Sequence, residues 1–295
     1  MTAAGPADQE GLAEFGSARL WIVDLDGVIW LTGEAIGEVA SAVTDLRSHG
    51  VRIAFATNNS APTTSALLAR LERLGIEATG DDLVTSAEAL ASLLSPGQSV
   101  KVLAEEGVTE ALESRGVRLV ADGPVDAAVV GWSHSFDFDL LAATATAART
   151  SGRLLASNED PTHPTPAGLM PGAGSILAAV ATASGVTPEI AGKPHRPMAA
   201  LMMAKYGFGE GDRTVVMVGD QPRTDGGLAH RLGIPYALVD SGVTPRVRGA
   251  STYPCRSGSP TSSAWSTPAS TSGRPVPSTP ARRPEPTRAA GKHSR

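Results

Sequence analysis

The feature that most constrains the fold of this chain is a series of short apolar segments separated by segments with helical spacing. Several of the short segments are apolar at every position rather than at alternate positions, as strands covered on both faces of a sheet are. Residues 63–75 and 174–185 place their apolar side chains at helical spacing, and each segment ends on a glycine. This alternation predicts an α/β protein with a mainly parallel sheet. The predicted strands are residues 19–25, 51–57, 99–105, 117–121, 126–132, 153–157, 213–220 and 234–240.

The composition changes sharply near Pro245. Residues 246–295 contain no Leu, Ile, Phe or Met but eight Pro, ten Ser and eight Arg, with Glu285 as their only acid. Such a segment cannot bury apolar area, so we expect a disordered basic tail with a formal charge of +8. Misread GC-rich codons also give Arg, Pro, Ser and Ala, which suggests a frameshifted gene end; a natural basic extension is the alternative. We expect residues 1–17 to be flexible as well.

Charge and residue usage exclude several classes of protein. The formal net charge is -5 for the whole chain, which gives no general attraction to nucleic acid or to anionic membranes. The one cysteine, Cys255, excludes an intramolecular disulfide framework and a multi-cysteine zinc site. No apolar run approaches the roughly 18 residues of a membrane span, and the acidic start lacks the apolar region of a signal peptide. We therefore expect a cytoplasmic protein without a membrane partner.

Two carboxylates close the first apolar segment. Asp24 ends it, Asp26 follows two residues later, and Gly27 permits a tight turn. Carboxylates this close repel each other unless a cation lies between them or one keeps its proton. A divalent metal at Asp24 would leave that side chain free to attack an electrophile such as phosphorus, with Asp26 as general acid and base. An ordinary polar turn after a strand is the alternative.

Polar residues also accompany later segments, and each has an ordinary structural alternative. Thr57 and Asn58 could bind phosphate oxygens, or they could cap the helix that begins near Pro62. Lys193, between a glycine and a proline, could pair with a phosphate or with Asp24, or it could lie in solvent as most lysines do.

Two further acids follow the apolar segment at 213–220. Asp220 closes that segment and Asp225 comes five residues later. Since Mg²⁺ prefers carboxylate oxygens and water, Asp220 could complete a magnesium site with Asp24. Asp225 could equally cap the next helix. Because ligands bind beyond the carboxyl ends of strands in open α/β sheets, we expect all of these residues at one edge of the sheet.

Together, and in this order, the motifs resemble those of the haloacid dehalogenase (HAD) superfamily of phosphatases. The strings "DLDGVIW", "TNNS", "GKPHRPM" and "VGDQPRTDGGLAHRLGIPYALVDSGVT" look like its NagD-like branch, which includes p-nitrophenyl-phosphatase, glycerol-phosphate phosphatase and phosphoglycolate phosphatase types. The resemblance runs from Ala18 to Thr244. It implies a doubly wound, Rossmann-like core with an inserted α/β cap domain. It also implies a phosphatase acting on a small phosphate monoester.

The resemblance implies a role for each motif residue. Asp24 would be the nucleophile and form an aspartyl-phosphate, and Asp26 would protonate the leaving group and later activate water. Thr57 and Asn58 would hold phosphate oxygens, while Lys193 would neutralise the nucleophile and the phosphoryl group. These roles suit a reaction that asks the protein mainly for positioning and charge stabilisation.

The cofactor that the resemblance implies is Mg²⁺. Asp24, the main-chain carbonyl of Asp26 and Asp220 would hold the ion. Asp225 would order the water molecules around it.

A long insertion separates the second motif from the third. Thr57 and Lys193 are 136 residues apart, far more than one βα unit needs. We predict a core domain at 18–81 and 189–245 and an inserted cap domain at 82–188. By closing over the core, the cap would exclude water and select the leaving group. A homodimer formed through the cap is a further expectation.

Residues 157–175 are the predicted cap surface that faces the site. Asn158 and Asp160 could contact the substrate, although each could also belong to an ordinary surface loop. His163 has the same two interpretations. The expected partner is a small phosphorylated metabolite. Glycerol phosphate, phosphoglycolate, sugar phosphates, nucleoside monophosphates and pyridoxal phosphate all need the same core, so the sequence leaves the substrate open.

Two other functions use similar residues. A receiver-type signalling domain also holds an aspartyl-phosphate with acids, a Thr and a Lys, but it needs only about 100–150 residues and no Asp26. A catalytically inactive module that binds a phosphate ligand is the second alternative, although no catalytic position is lost. The basic tail allows a weak, salt-sensitive contact with nucleic acid or an acidic partner.

Overall fold

The computed structural model describes residues 15–165 and 168–241. The strands, in chain order, are β1 (Leu20–Asp24), β2 (Trp30–Leu31), β3 (Glu34–Ala35), β4 (Arg52–Thr57), β5 (Leu83–Thr85), β6 (Ser99–Leu103), β7 (Arg118–Leu119), β8 (Ala127–Val130), β9 (Leu154–Ala156), β10 (Thr162–Thr165), β11 (Gly168–Pro171), β12 (Pro188–Ile190), β13 (Val215–Gly219) and β14 (Tyr236–Leu238). The α-helices are α1 (Val39–Ser48), α2 (Thr64–Arg73), α3 (Ser86–Ala91), α4 (Glu106–Ser114), α5 (Phe138–Ser151), α6 (Ala173–Ser184), α7 (Arg196–Tyr206) and α8 (Gly227–Leu232). The chain also contains a 3₁₀ turn at Gly80–Asp82 and a π-helical turn at Pro222–Gly226.

Five parallel strands form the first sheet, in the order β14-β13-β1-β4-β5. After β1 the chain fills one side of that strand with β4 and β5, and it later fills the other side with β13 and β14. The sheet is therefore doubly wound, and its topological switch point lies at the carboxyl ends of β1 and β13. Open α/β sheets bind their ligands at this point. The predicted doubly wound α/β fold is confirmed.

A second parallel sheet has the order β12-β9-β8-β6-β7. It accounts for most of the predicted insertion, but both ends differ from the prediction. Residues 83–85 were predicted in the cap, yet β5 pairs with β4 in the first sheet, and β12 pairs with β9 in the second. Each of these strands has three residues, too few to show a pattern in the sequence. The division into core and cap domains stays a prediction.

Successive residues of β1 pack into different clusters of buried side chains. Ile22 lies in one cluster with Ala54, and Val23 lies in another with Phe55. A strand with apolar neighbours on both faces needs an apolar residue at every position, which explains why its sequence does not alternate. The first cluster also contains Val100 of the second sheet, so buried apolar contacts continue from one sheet to the other.

Both helices predicted from apolar spacing are confirmed. At the start of α2, the Thr63 hydroxyl accepts a hydrogen bond from Ala66 N at 3.2 Å. After α2 the chain turns at Gly75, and α6 ends at Gly185. The φ angles of these glycines are +77° and +71°, in the left-handed region that favours glycine.

Most of the two chain ends that were predicted to be flexible or disordered is not described by the structure. The predicted tail at 246–295 and residues 1–14 of the predicted flexible start lie outside the described residues. Phe15, inside the stretch predicted to be flexible, packs against a buried cluster of the first sheet. None of the described helices is long and apolar enough to cross a membrane.

Candidate active site

Three neighbouring strands of the first sheet end on polar side chains at the same edge. Asp24 is the last residue of β1, Thr57 is the last residue of β4, and Asp220 directly follows β13. Since β1 lies between β4 and β13 in parallel register, these three carboxyl ends are adjacent. The order of the strands thus brings together motifs that are far apart in the sequence.

Lys193 is a buried cation at the centre of this edge. Its side chain is 2% exposed, and Nζ donates to Asp24 Oδ1 at 2.7 Å, to Asp225 Oδ1 at 2.7 Å and to Ala56 O at 3.2 Å. Three acceptors match the three protons of the ammonium, without which its burial would be very costly. Burial alone would lower the pKa of Lys193, but the two carboxylates outweigh it and raise that pKa above its ordinary value. The lysine therefore stays charged.

The negative charge of the buried Asp24 carboxylate is only partly balanced by Lys193. Burial raises the pKa of Asp24 well above its usual range; the charge of Lys193 opposes that rise and the charge of Asp225 adds to it. A further cation at this carboxylate would favour its ionised form and reduce the repulsion between the acids. Binding of a metal ion at this site would therefore be electrostatically favourable.

Three carboxylates lie close enough to bind one ion. Asp24, Asp220 and Asp225 are buried, and each offers an oxygen within 4.8 Å of the others. Such a set of oxygen donors suits Mg²⁺. Asp225, however, already uses Oδ1 for Lys193, and its Oδ2 accepts from Gln221 N at 3.1 Å. It is therefore placed to hold the lysine and the loop. The water-ordering role that the resemblance implied for Asp225 stays a prediction.

Two glycines allow these acids to approach the main chain. Gly27 has a φ of +91°, and a Cβ at this position would lie 2.6 Å from the Asp220 carboxylate. A Cβ at Gly219 would overlap the carboxylate of Asp225. A side chain at either position would displace an acid of the site.

Asp26 is held by Trp30, a residue that sequence reasoning did not select. The indole Nε1 donates to Asp26 Oδ1 at 2.9 Å, and Trp30 is fully buried. The turn at Gly27 brings the two side chains together, with Gly27 N donating to Trp30 O at 2.7 Å. The bond orients the Asp26 carboxylate and leaves Oδ2 for chemistry. No periodicity in the sequence indicates this contact.

The side chain of Asn58 braces the site. Its Nδ2 donates to Asp160 Oδ2 at 2.9 Å and to Lys193 O at 3.1 Å, and its Oδ1 accepts from Lys193 N at 2.8 Å. Both amide protons are used, so the predicted phosphate contact would have to come from the main-chain N–H of Asn58. Thr57 Oγ1 accepts from Asn59 N at 3.0 Å, which leaves the hydroxyl proton of Thr57 available to a phosphate oxygen.

Asn158 and Asp160, predicted as substrate contacts, both bind the loop after β4. Asn158 Nδ2 donates to Asn58 O at 2.8 Å, while Asp160 accepts from the Asn58 side chain. Burial raises the pKa of Asp160, and the hydrogen bond from Asn58 opposes that rise. Both residues line the cavity described next, and their contact with a substrate stays a prediction.

Glu159, which lies between Asn158 and Asp160, contacts two further segments of the chain. Glu159 Oε1 lies 3.1 Å from His195 Nε2 and 3.5 Å from Arg223 Nη2. The sequence does not indicate this contact either, because the three residues are far apart along the chain.

A cavity of about 250 Å³ lies above the acids and Lys193. The segment predicted to face the site does so, because the cavity lining includes Asn158, Asp160, Pro161, Thr162, His163, Leu169, Gly172 and Ala173. Trp132, which sequence reasoning missed, also lines it, with its ring centroid 5.6 Å from that of His163. The reactive groups and the inserted segment thus enclose one space.

Parts of the chain match two protein-family models, and several known proteins are similar to it in sequence. Residues 21–118 match the family model described as haloacid dehalogenase-like hydrolase, and residues 190–257 match a model described as HAD-hydrolase-like. The D-glycerol 3-phosphate phosphatase of Mycobacterium tuberculosis is 36% identical over 229 residues, which are 75% of this chain and 63% of that enzyme. A 5'-nucleotidase of Bacillus subtilis is 32% identical over 229 residues, covering 77% of this chain and 88% of that protein.

Solved structures of phosphatases are also similar to this chain. The glycerol phosphate phosphatase of Mycobacterium tuberculosis in complex with magnesium has a TM-score of 0.72 and 33% identity, covering 78% of this chain and 70% of that one. The p-nitrophenyl phosphatase from Archaeoglobus fulgidus has a TM-score of 0.73 and 30% identity, covering 78% of this chain and 88% of that one.

The chain belongs to the haloacid dehalogenase-like hydrolase family. It spans less than two thirds of the length of the mycobacterial enzyme. The family predicted from the motifs is confirmed, and with it the class of enzyme, since the relatives are named as phosphatases and a nucleotidase and one was solved with magnesium. These relatives favour an enzyme over a signalling module or an inactive binding protein.

Proposed function

We propose that this protein is a Mg²⁺-dependent phosphatase that hydrolyses small phosphate monoesters through an aspartyl-phosphate on Asp24. The observation that carries the proposal is the buried contact between Lys193 and Asp24 at the cavity. The lysine fixes the carboxylate and offsets its charge. Asp26 lines the same cavity, close enough in sequence to serve the same phosphoryl group.

In the first step, an oxygen of Asp24 attacks phosphorus while the bond from phosphorus to the leaving oxygen breaks. Lys193 occupies Oδ1 of Asp24, so the other oxygen makes the attack. Asp26 gives its proton to the leaving oxygen, and the product leaves as a neutral alcohol. Because Trp30 binds Oδ1 of Asp26, Oδ2 is the atom that carries the proton.

In the second step, Asp26 takes a proton from water, and the water oxygen attacks phosphorus. The bond between phosphorus and Asp24 breaks, which restores the carboxylate and releases inorganic phosphate. The hydroxyl of Thr57 and the main-chain N–H of Asn58 would donate to the phosphoryl oxygens in both steps.

Asp24 and Asp220 would hold Mg²⁺ together with the main-chain carbonyl of Asp26. A bound ion supplies positive charge that stabilises the phosphoryl oxygens in the transition state. Asp225 would keep Lys193 and the Gln221 main chain in place. The buried oxygen donors and the raised pKa of Asp24 support this assignment.

Release of inorganic phosphate from a panel of monoesters tests the proposal. The panel contains p-nitrophenyl phosphate, glycerol 3-phosphate, a nucleoside monophosphate and a sugar phosphate, each with Mg²⁺. We expect turnover of at least one ester, and we expect the Asp26→Asn variant to accumulate phosphate on Asp24, detected by mass spectrometry of the intact chain and its peptides. The proposal is wrong if wild-type protein releases phosphate from none of the esters.

We also propose that the second sheet belongs to a cap domain, that the protein dimerises through this cap and that it acts in the cytoplasm on a small phosphorylated metabolite. Light scattering after size exclusion tests the dimer. A monomeric mass at micromolar concentration would rule it out.

A further inference from the structure

A second cavity of about 190 Å³ adjoins the active site. Asp26, Asn59 and His163 line both cavities. In the proposed reaction Asp26 protonates the leaving oxygen, so the leaving group starts beside Asp26. The second cavity is therefore a space into which the rest of the leaving group can extend. Its other lining residues are Leu31, Thr32, Arg70 and Thr165.

Arg70 is a cationic residue that lines this cavity. Its Cζ lies 4.1 Å from the ring centroid of Trp30, so stacking positions the guanidinium without using its N–H donors. Within residues 15–165 and 168–241 the guanidinium makes no hydrogen bond or ion pair. Partial burial lowers the pKa of Arg70 below its ordinary value, and the charge of Asp26 opposes that change. A partly desolvated guanidinium with unused donors is suited to bind an anion through two parallel hydrogen bonds.

Neighbouring groups add polar contacts. Asn59 Oδ1 accepts from Ala61 N at 3.2 Å, which fixes the amide and leaves its NH₂ group as a donor. Thr32, in the turn between β2 and β3, has a φ of +49°, a conformation in which β-branched residues are strained. Strained backbone of this kind persists where the surrounding structure holds it, often at ligand sites.

Asp26 limits where an anion can bind. The Asp26 carboxyl group lines the same cavity, and once it has given its proton to the leaving oxygen it repels a second negative charge, whereas Arg70 attracts one. An anionic group therefore gains free energy only at the Arg70 side of the cavity, away from the phosphate ester itself. This requirement favours a charge at the far end of the leaving group.

We propose that Arg70, assisted by Asn59, forms a second anion-binding subsite, and that the preferred substrates are phosphate monoesters whose leaving group carries a second anionic group. This inference rests on the proposed function and names a substrate class for it. A carboxylate or a second phosphate meets the requirement equally. Neutral leaving groups would leave the guanidinium without a partner.

A matched pair of esters tests the subsite. At the far end of the leaving group, 3-phosphoglycerate carries a carboxylate where glycerol 3-phosphate carries a neutral hydroxymethyl group. We expect wild-type kcat/KM to favour 3-phosphoglycerate, and Arg70→Met to reduce the ratio of the two kcat/KM values about tenfold or more, as expected for loss of a charged hydrogen-bonded pair. Fructose 1,6-bisphosphate against fructose 6-phosphate forms the second arm; the arm whose ratio falls identifies carboxylate or phosphate as the group bound.

Arg73→Met is the control, because Arg73 is an exposed residue of the same helix that does not line the cavity. It should leave both ratios unchanged. Arg70→Lys, which keeps the charge but not the forked donors, should lower the ratio about threefold or more and provides a second variant if Arg70→Met fails to fold. Ratios that stay unchanged in a folded Arg70 variant, with both esters turned over, overturn the subsite and leave the phosphatase proposal standing. Wild-type protein that hydrolyses no monoester refutes the phosphatase proposal itself.

Discussion

Lys193 Nζ donates a hydrogen bond of 2.7 Å to Asp24 Oδ1 across 169 residues of sequence. The same ammonium binds Asp225 Oδ1 at 2.7 Å, and none of the three side chains is more than 7% exposed. The end of β1, the segment before α7 and the turn after β13 therefore depend on one buried cation. Removing one partner of such a group leaves the other charges buried and uncompensated, which is more costly than the loss of a surface ion pair.

Lys193→Met should lower the free energy of unfolding by about 3–5 kcal/mol and abolish phosphatase activity, because two buried carboxylates lose their counter-charge. Urea denaturation and phosphate release measure the two effects. Lys101→Met is a matched control, since the half-buried Lys101 donates to the main-chain oxygen of Ala121 and has no ion pair among the described residues. An active Lys193→Met protein of wild-type stability would contradict the role given to the lysine.

Asp24→Asn should reduce hydrolysis of p-nitrophenyl phosphate by about 10³-fold or more, because an amide cannot form the aspartyl-phosphate. The amide oxygen can still accept from Lys193, so the circular dichroism spectrum should match that of the wild type. Asp122→Asn, an exposed substitution, serves as the control. Retention of full activity in Asp24→Asn would exclude this residue as the nucleophile.

Chelation with EDTA should silence the enzyme, and Mg²⁺ should restore it. Binding of Mg²⁺ to the native state should also raise the Tm in proportion to the logarithm of its concentration once the site is saturated. Asp220→Asn should remove both responses, because Asp220 lies with Asp24 in the cluster of buried carboxylates. Activity that persists after thorough chelation would remove the metal from the mechanism.

Gly27→Ala should destabilise the protein and impair Mg²⁺ binding, since a Cβ at Gly27 would lie 2.6 Å from the Asp220 carboxylate. Gly97→Ala separates this clash from backbone strain. Gly97 has a φ of +85°, close to the +91° of Gly27, but no atom lies within 4 Å of its added Cβ. The control should cost about 1–2 kcal/mol of stability and leave Mg²⁺ binding unchanged. Equal effects of the two substitutions would show that the contact with Asp220 is unimportant.

Asp126→Asn should lower the free energy of unfolding at neutral pH, and its difference from the wild type should shrink in acid. Hydrogen bonds from Ser99 N at 2.6 Å and Ser99 Oγ at 2.9 Å lower the pKa of Asp126 below its ordinary value. A depressed pKa in the folded state stabilises the protein above the unfolded value, and that contribution is lost as the pH falls through the folded value. Urea melts of both proteins between pH 7 and pH 3 measure the difference. A constant difference over this range would show that the Asp126 charge is not involved.

The parallel strands that carry the motifs were predictable, because strands covered on both faces must be apolar throughout. Asp24, Thr57 and Asp220 were found for the same reason, since each is a polar residue at the end of such a run. β5 and β12 were not found, because three residues carry no readable period. β5 was predicted in the insertion but lies in the first sheet, and β12 was predicted mostly in the core but lies in the second sheet. Both ends of the predicted insertion therefore differ from the sheet boundaries.

The contacts around the motif residues could not be predicted. Trp30 binding to Asp26 depends on the turn at Gly27, and the stacking of Arg70 on Trp30 depends on how α2 packs against the first sheet. The hydrogen bonds of the Asn58 side chain with Asp160 and Lys193 require segments that are 102 and 135 residues away in the sequence. The contacts of Arg70 and of Asn58 join elements that are far apart along the chain, so their closeness in space cannot be read from the sequence.

The sequence by itself determined which chemical groups are present and on which kind of element each lies, because hydrophobic period, turn residues and charged side chains are local properties. The tertiary structure decided which oxygens remain available, how the acids share one lysine, and that a second cavity with its own cation adjoins Asp26. The reason is physical: burial, hydrogen-bond saturation and pKa depend on every group within a few ångströms. Only strand order and packing bring those groups together.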